Sequence, residues 1–79
     1  MITRYVAAAL DRAHYRLVDD GTYVGTVRGL KGVISTGATI EACRRELAEV
    51  IEAWILVRVA RGLQIPRLGR AIVKVRRAS

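Results

Sequence analysis

Tyr23-Val24-Gly25-Thr26-Val27, then Arg28-Gly29-Leu30-Lys31-Gly32, then Val33-Ile34-Ser35-Thr36-Gly37-Ala38-Thr39 decide how the chain folds. The first run is rich in β-branched residues and reads as a strand. The second is a glycine-bearing loop, and Val33-Ile34-Ser35-Thr36 is a short strand that Gly37 ends. Ahead of them, Asp19-Asp20-Gly21-Thr22 is a tight turn, because Asp and Gly tolerate the positive φ angles of hairpins. Before that turn, His14 to Val18 alternate, with Tyr15 and Leu17 on one face and Arg16 and Val18 on the other. Three strands with short connections form an antiparallel meander.

Beyond Gly37, Thr39 caps the main helix, residues 40–61, and Glu41 suits the positive end of its dipole. Ala42 stands where a reciprocal capping box needs Glu or Gln. Cys43, Leu47, Val50, Ile51, Trp54 and Val57 form an apolar stripe that should cover the sheet, and Gly62 and Pro66 stop the helix. Its second half is apolar on further sides: Ala53-Trp54-Ile55-Leu56-Val57 is unbroken, and Ile55, Leu56, Val59, Ala60 and Leu63 lie largely off the stripe. A helix apolar on two sides is buried on two sides, so an N-terminal helix or a second subunit must cover it. Ile55, Leu56, Val59 and Leu63 are therefore the expected homo-oligomer interface, in a dimer or a dimer of dimers.

At the start, Thr3 reads as the cap of a helix over residues 4–13, with Tyr5, Val6, Ala9, Leu10 and Ala13 at helical spacing. At the end, Ala71-Ile72-Val73-Lys74-Val75 reads as a fourth strand, parallel to the first and at the sheet edge. The expected architecture is a single α+β domain over residues 1–79. It has two layers, sheet and helix, in the order α-β-β-β-α-β with a mostly antiparallel sheet, and residues 67–79 form a basic strand or tail.

A chain of 79 residues is one small domain, and at this size a lone core is marginal. Cys43 is the single cysteine and His14 the single histidine, so neither an internal disulfide nor a Cys/His metal cluster can help. Oligomerisation is the remaining common remedy. With 52% hydrophobic and 27% charged residues the composition is globular. No apolar run approaches the roughly 18–20 residues of a membrane span. The start reaches Asp11 and Arg12 without the apolar core of a signal peptide, which fits a reduced, cytoplasmic compartment.

Charge is the other compositional signal. The net value is +7, and all seven acids lie between Asp11 and Glu52. From Ala53 onward there are seven cations and no acid. Arg67, Arg70, Lys74, Arg76 and Arg77 are the expected contacts to DNA or RNA, and binding through them would be salt-sensitive. Equally, a short basic tail serves to keep a sticky domain in solution.

The pattern carries no catalytic constellation, and neither enzyme activity, cofactor nor metal is expected. His14 near Asp11 sits at a helix-to-strand junction and reads as structural. Asp19 and Asp20 are turn formers beside Gly21 rather than metal ligands. Cys43 is a small core hydrophobe without a resolving thiol, and Trp54 is a core or interface anchor. Gly29-x-x-Gly32 lacks the following helix a phosphate-gripping loop needs.

Taken in order, Thr22 to Val27, Leu30 to Val33, Thr36 to Cys43 and Glu46-Leu47-x-x-Val50-Ile51-Glu52-x-Trp54 resemble the HicB-like antitoxin family. That family's pattern is a Tyr-x-(Ala/Gly)-x-Val/Ile strand, a Pro-x-Leu-Pro-Gly loop, a short strand ending at Gly and a Thr-capped helix. Arg4-Tyr5 through His14-Tyr15 looks like a small single-domain subgroup with an added N-terminal helix, and the resemblance spans nearly all of residues 2–68. It implies a partial RNase H-like core without a nuclease site. It also implies an antitoxin that occludes a small HicA-type, mRNA-cleaving toxin. Many members add a C-terminal DNA-binding domain, which the stretch after Pro66 is too short to hold. Two features depart from the pattern. Arg28 and Lys31 replace both loop prolines, removing their rigidity. The chain is also strongly basic, as such toxins are, so a toxin partner would have to be held by apolar contact and edge pairing, or else have been lost.

Overall fold

The computed structural model describes residues 2–73. Helix α1 (Ile2–Asp11) leads into β1 (Ala13–Leu17), β2 (Tyr23–Val27), β3 (Ile34–Gly37) and the long helix α2 (Ile40–Ala60). The sheet order is β1-β2-β3 with both pairings antiparallel, so the meander and the α+β class hold. The turn between β1 and β2 closes through Gly21 N–H to the Val18 carbonyl, and the Asp20 side chain accepts the Thr22 N–H at 2.9 Å.

Register fixes which side chains face the helices. Ala13 pairs with Val27, Tyr15 with Gly25 and Gly25 with Ser35. Gly25, Val27 and Ser35 of this set are buried, while His14, Arg16, Thr26, Ile34 and Thr36 face outward and are exposed. Two glycines let α2 approach the inner face. A Cβ at Gly25 would lie 2.8 Å from Ser35 Oγ and 3.0 Å from Cys43 Sγ. Buried Ser35 spends its hydroxyl on the Cys43 carbonyl at 3.0 Å, tying β3 to the first turns of α2.

Thr39 caps α2 as its sequence position predicts, its Oγ1 accepting the Ala42 N–H at 3.0 Å. At the other end Gly62, at φ 67°, takes the left-handed position that stops the helix. The N–H of Leu63 then returns to the Arg58 carbonyl.

Four expectations need correction. Thr3 lies inside α1 rather than at its cap, and the helix starts and ends two residues earlier than its apolar spacing suggests. Ala13 belongs to β1, where pairing with Val27 outweighs its helical propensity. The inward stripe of α2 is Cys43, Leu47, Ile51 and Ile55, each wholly buried, so Val57 is exposed and Ile55 cannot be an interface residue of the folded chain. Steps of four residues drift by about 40° around a helix. α1 and the returning segment complete the core there, with Tyr5, Val6, Ala9, Ile65 and Leu68 in the same buried cluster as Ile55. Finally, no fourth strand joins the sheet among the described residues. Leu68 and Ala71 instead form an isolated antiparallel bridge around Gly69-Arg70, and residues 74 and 75 of the expected strand lie outside the described part.

Candidate binding surfaces

Along α2 the solvent-facing chemistry changes midway. Glu41, Arg44, Arg45, Glu46, Glu49 and Glu52 are exposed on the first half, as on any water-facing helix. On the second half and just past its end the exposed positions are Leu56 (59%), Val57 (50%), Val59 (37%) and Leu63 (42%). Leu56 and Val59 fall at i and i+3, on one helix face, and Leu63 follows directly after the Gly62 stop. Three of the four expected interface residues are therefore on the surface, and Ile55 lies beneath them.

Beside this strip, Trp54 is half-buried against the core, with the Arg58 guanidinium 5.0 Å from its ring centroid. Arg58 Nε also donates to the Gln64 carbonyl at 2.8 Å, so stacking and hydrogen bonding hold one orientation. Trp54, Arg58, Gly29, Lys31 and Pro66 line a shallow groove of about 210 Å³. The Pro66 carbonyl accepts the Tyr5 hydroxyl, which fastens the segment after α2 to α1. Burial raises the Tyr5 pKa, and the nearby Arg58 charge partly offsets this.

Two further surfaces are basic. Of the residues expected to contact nucleic acid, Arg67 and Arg70 are exposed, whereas Lys74, Arg76 and Arg77 lie outside the described residues. At the junction of α1 and β1, Asp11, Arg12, Ala13, His14 and Arg28 line an open cleft of about 340 Å³. Reading the charge run by sequence distance missed Arg12 and Arg28, which only strand pairing makes neighbours. The available signal was that each sits immediately beside a β-prone run.

The remaining candidate groups have structural surroundings. Asp19 and Asp20 are exposed in their turn, and the Thr22 backbone hydrogen bond holds the Asp20 carboxyl below its ordinary pKa. Cys43 is fully buried, 3.3 Å from Ser35 Oγ. Among the described residues no group of three or more His, Cys, Asp or Glu side chains is placed to hold a metal. No helix among them is long and apolar enough to cross a membrane.

Residues 4–66 match the family model described as UPF0150-like. The chain belongs to the UPF0150-like family. That family is HicB-like, so the sequence resemblance holds at family level. The fold of this UPF0150-like chain is similar to the crystal structure of TTHA0281 from Thermus thermophilus. The TM-score is 0.82 at 36% identity, covering 90% of this chain and 95% of that one. No curated protein matches the chain.

Proposed function

We propose that this UPF0150-like protein is an antitoxin-like, non-enzymatic binding module that works as a homo-oligomer and occludes a small HicA-type toxin. The family match over residues 4–66 carries the reading. Exposed Leu56, Val57, Val59 and Leu63 support the oligomer, because a contiguous apolar strip on a small domain is otherwise an aggregation liability. A two-fold axis through the strip would use each of these residues twice. The basic body gives a toxin of like charge no electrostatic steering, so apolar contact and the edges of β1 and β3, unpaired among the described residues, are what supports a partner.

The direct experiment is co-production with a small HicA-type toxin, reading growth and mRNA integrity. Rescue of growth, together with co-purification of the two chains, is the expected result. Unrelieved toxicity with no complex would overturn the antitoxin reading. A second reading, favoured by exposed Arg67 and Arg70, is a basic nucleic-acid-binding accessory protein of the same fold. An orphan oligomer with a structural role is the outcome if neither partner class binds.

A further inference from the structure

Ala13 pairs with Val27, and the antiparallel register carries Arg12 and Arg28 to facing positions one step beyond the ladder. Like charges directly opposite one another across strands are destabilising. Both arginines nevertheless line the cleft at this corner, together with His14, and Asp11 is the only acid among the described residues that line it.

A second observation brings more cations to the same place. The Arg12 guanidinium lies over Gly69, so close that a Cβ there would sit 3.0 Å from its Nη2. The Gly69 carbonyl accepts Arg67 Nε at 2.9 Å. Arg12 and Arg67, 55 positions apart in the sequence, thus flank one glycine. The turn that holds it is not loose: Leu68 and Ala71 exchange backbone hydrogen bonds of 3.0 and 2.8 Å, and Leu68 is buried in the core. Arg70 is exposed on the same turn. At physiological salt, charges within about 8 Å still repel. Arg12 and Arg67 are therefore held on either side of Gly69, where an anion would relieve their repulsion.

We propose that Arg12, Arg28, Arg67 and Arg70 form a phosphate-binding corner for the backbone of a nucleic acid. The guanidinium fork matches phosphate oxygens two at a time. The cleft is open, and Arg12 of its lining also reaches the exposed turn at Gly69, which suits a chain of phosphates rather than one enclosed anion. Among the described residues no base-reading element accompanies these side chains, so binding through them is tolerant of sequence. This inference deepens the nucleic-acid reading and moves the site from the tail to the folded body.

The test is fluorescence anisotropy of the full chain with short labelled RNA and DNA over a salt series. The parent is compared with R12Q/R28Q, R12K/R28K, the tail variant K74Q/R76Q/R77Q, and R44Q/R45Q, which loses the same charge as R12Q/R28Q from the first half of α2. R12Q/R28Q should weaken binding and reduce the slope of log K against log salt by about two, since each phosphate contact contributes roughly 0.9. R44Q/R45Q should leave that slope unchanged, and R12K/R28K should keep most of the binding. Equal behaviour of R12Q/R28Q and R44Q/R45Q would overturn the corner, leaving only a general charge effect. Binding lost in the tail variant but intact in R12Q/R28Q would also overturn it while preserving the nucleic-acid reading. A parent that binds neither nucleic acid at low salt, or only an acidic protein, would sink both. Thermal melts guard the comparison: relieving facing like charges should not lower the melting temperature of R12Q/R28Q.

Discussion

Gly37 of β3 and Cys43 of α2 meet backbone to backbone: a Cβ on Gly37 would lie 2.5 Å from the Cys43 nitrogen and 2.8 Å from its Cα. Backbone cannot give way as a flexible side chain can. This contact sets how closely the helix approaches the sheet, so Gly37→Ala has to push α2 outward. Over-packing of this kind costs about 1–3 kcal/mol. In a domain of this size each kcal/mol shifts the melting temperature by roughly 4–8 °C. A calorimetric melt of Gly37→Ala within a degree of the parent would show that the interface has slack.

Ile55 and Leu56 are neighbours in sequence and opposites in role, since Ile55 is wholly buried and Leu56 is 59% exposed. Ile55→Ala should cost about 2–5 kcal/mol as a core cavity. Leu56→Asp should leave each chain folded while reducing the mass measured by light scattering to that of a monomer. If the parent is monomeric at micromolar concentration, the apolar strip is not a self-association surface.

The Tyr5 phenol has a raised pKa because folding buries it against the segment after α2. A proton held more tightly in the folded state means stability that is complete below the ordinary value of 10.0 and falls as pH rises through it. Tyr5→Phe should flatten the alkaline loss of stability above pH 10 relative to the parent, as read in urea melts across that range. An unchanged alkaline limb would remove Tyr5 as its source.

The purified protein should not cleave RNA in magnesium or manganese. Asp19 and Asp20 stand exposed in a turn, with Asp20 engaged by the Thr22 N–H. Asp19→Asn with Asp20→Asn should therefore alter only the turn. Cleavage by the parent that this double variant abolishes would reverse the structural assignment of both residues.

The sequence by itself determined the five elements from α1 to α2 and their order, though not the fate of the segment after them. Period-two alternation, the Asp19-Asp20-Gly21-Thr22 turn, the Thr39 cap and the Gly62 stop are local signals, and the β2 bounds and both ends of α2 follow them to within a residue. What only the tertiary structure decided was which side of α2 points inward beyond its middle, and which cations become neighbours. Both depend on partners far away in the chain. Tyr5, Ile65 and Leu68 share one buried cluster with Ile55, while Leu56 stays outside it. Strand register and one tight turn bring Arg12, Arg28 and Arg67 to a single corner. Helical periodicity says that a surface is apolar, and a charge run says that a segment is basic. Neither carries the distance between residues that the chain has to fold to bring together.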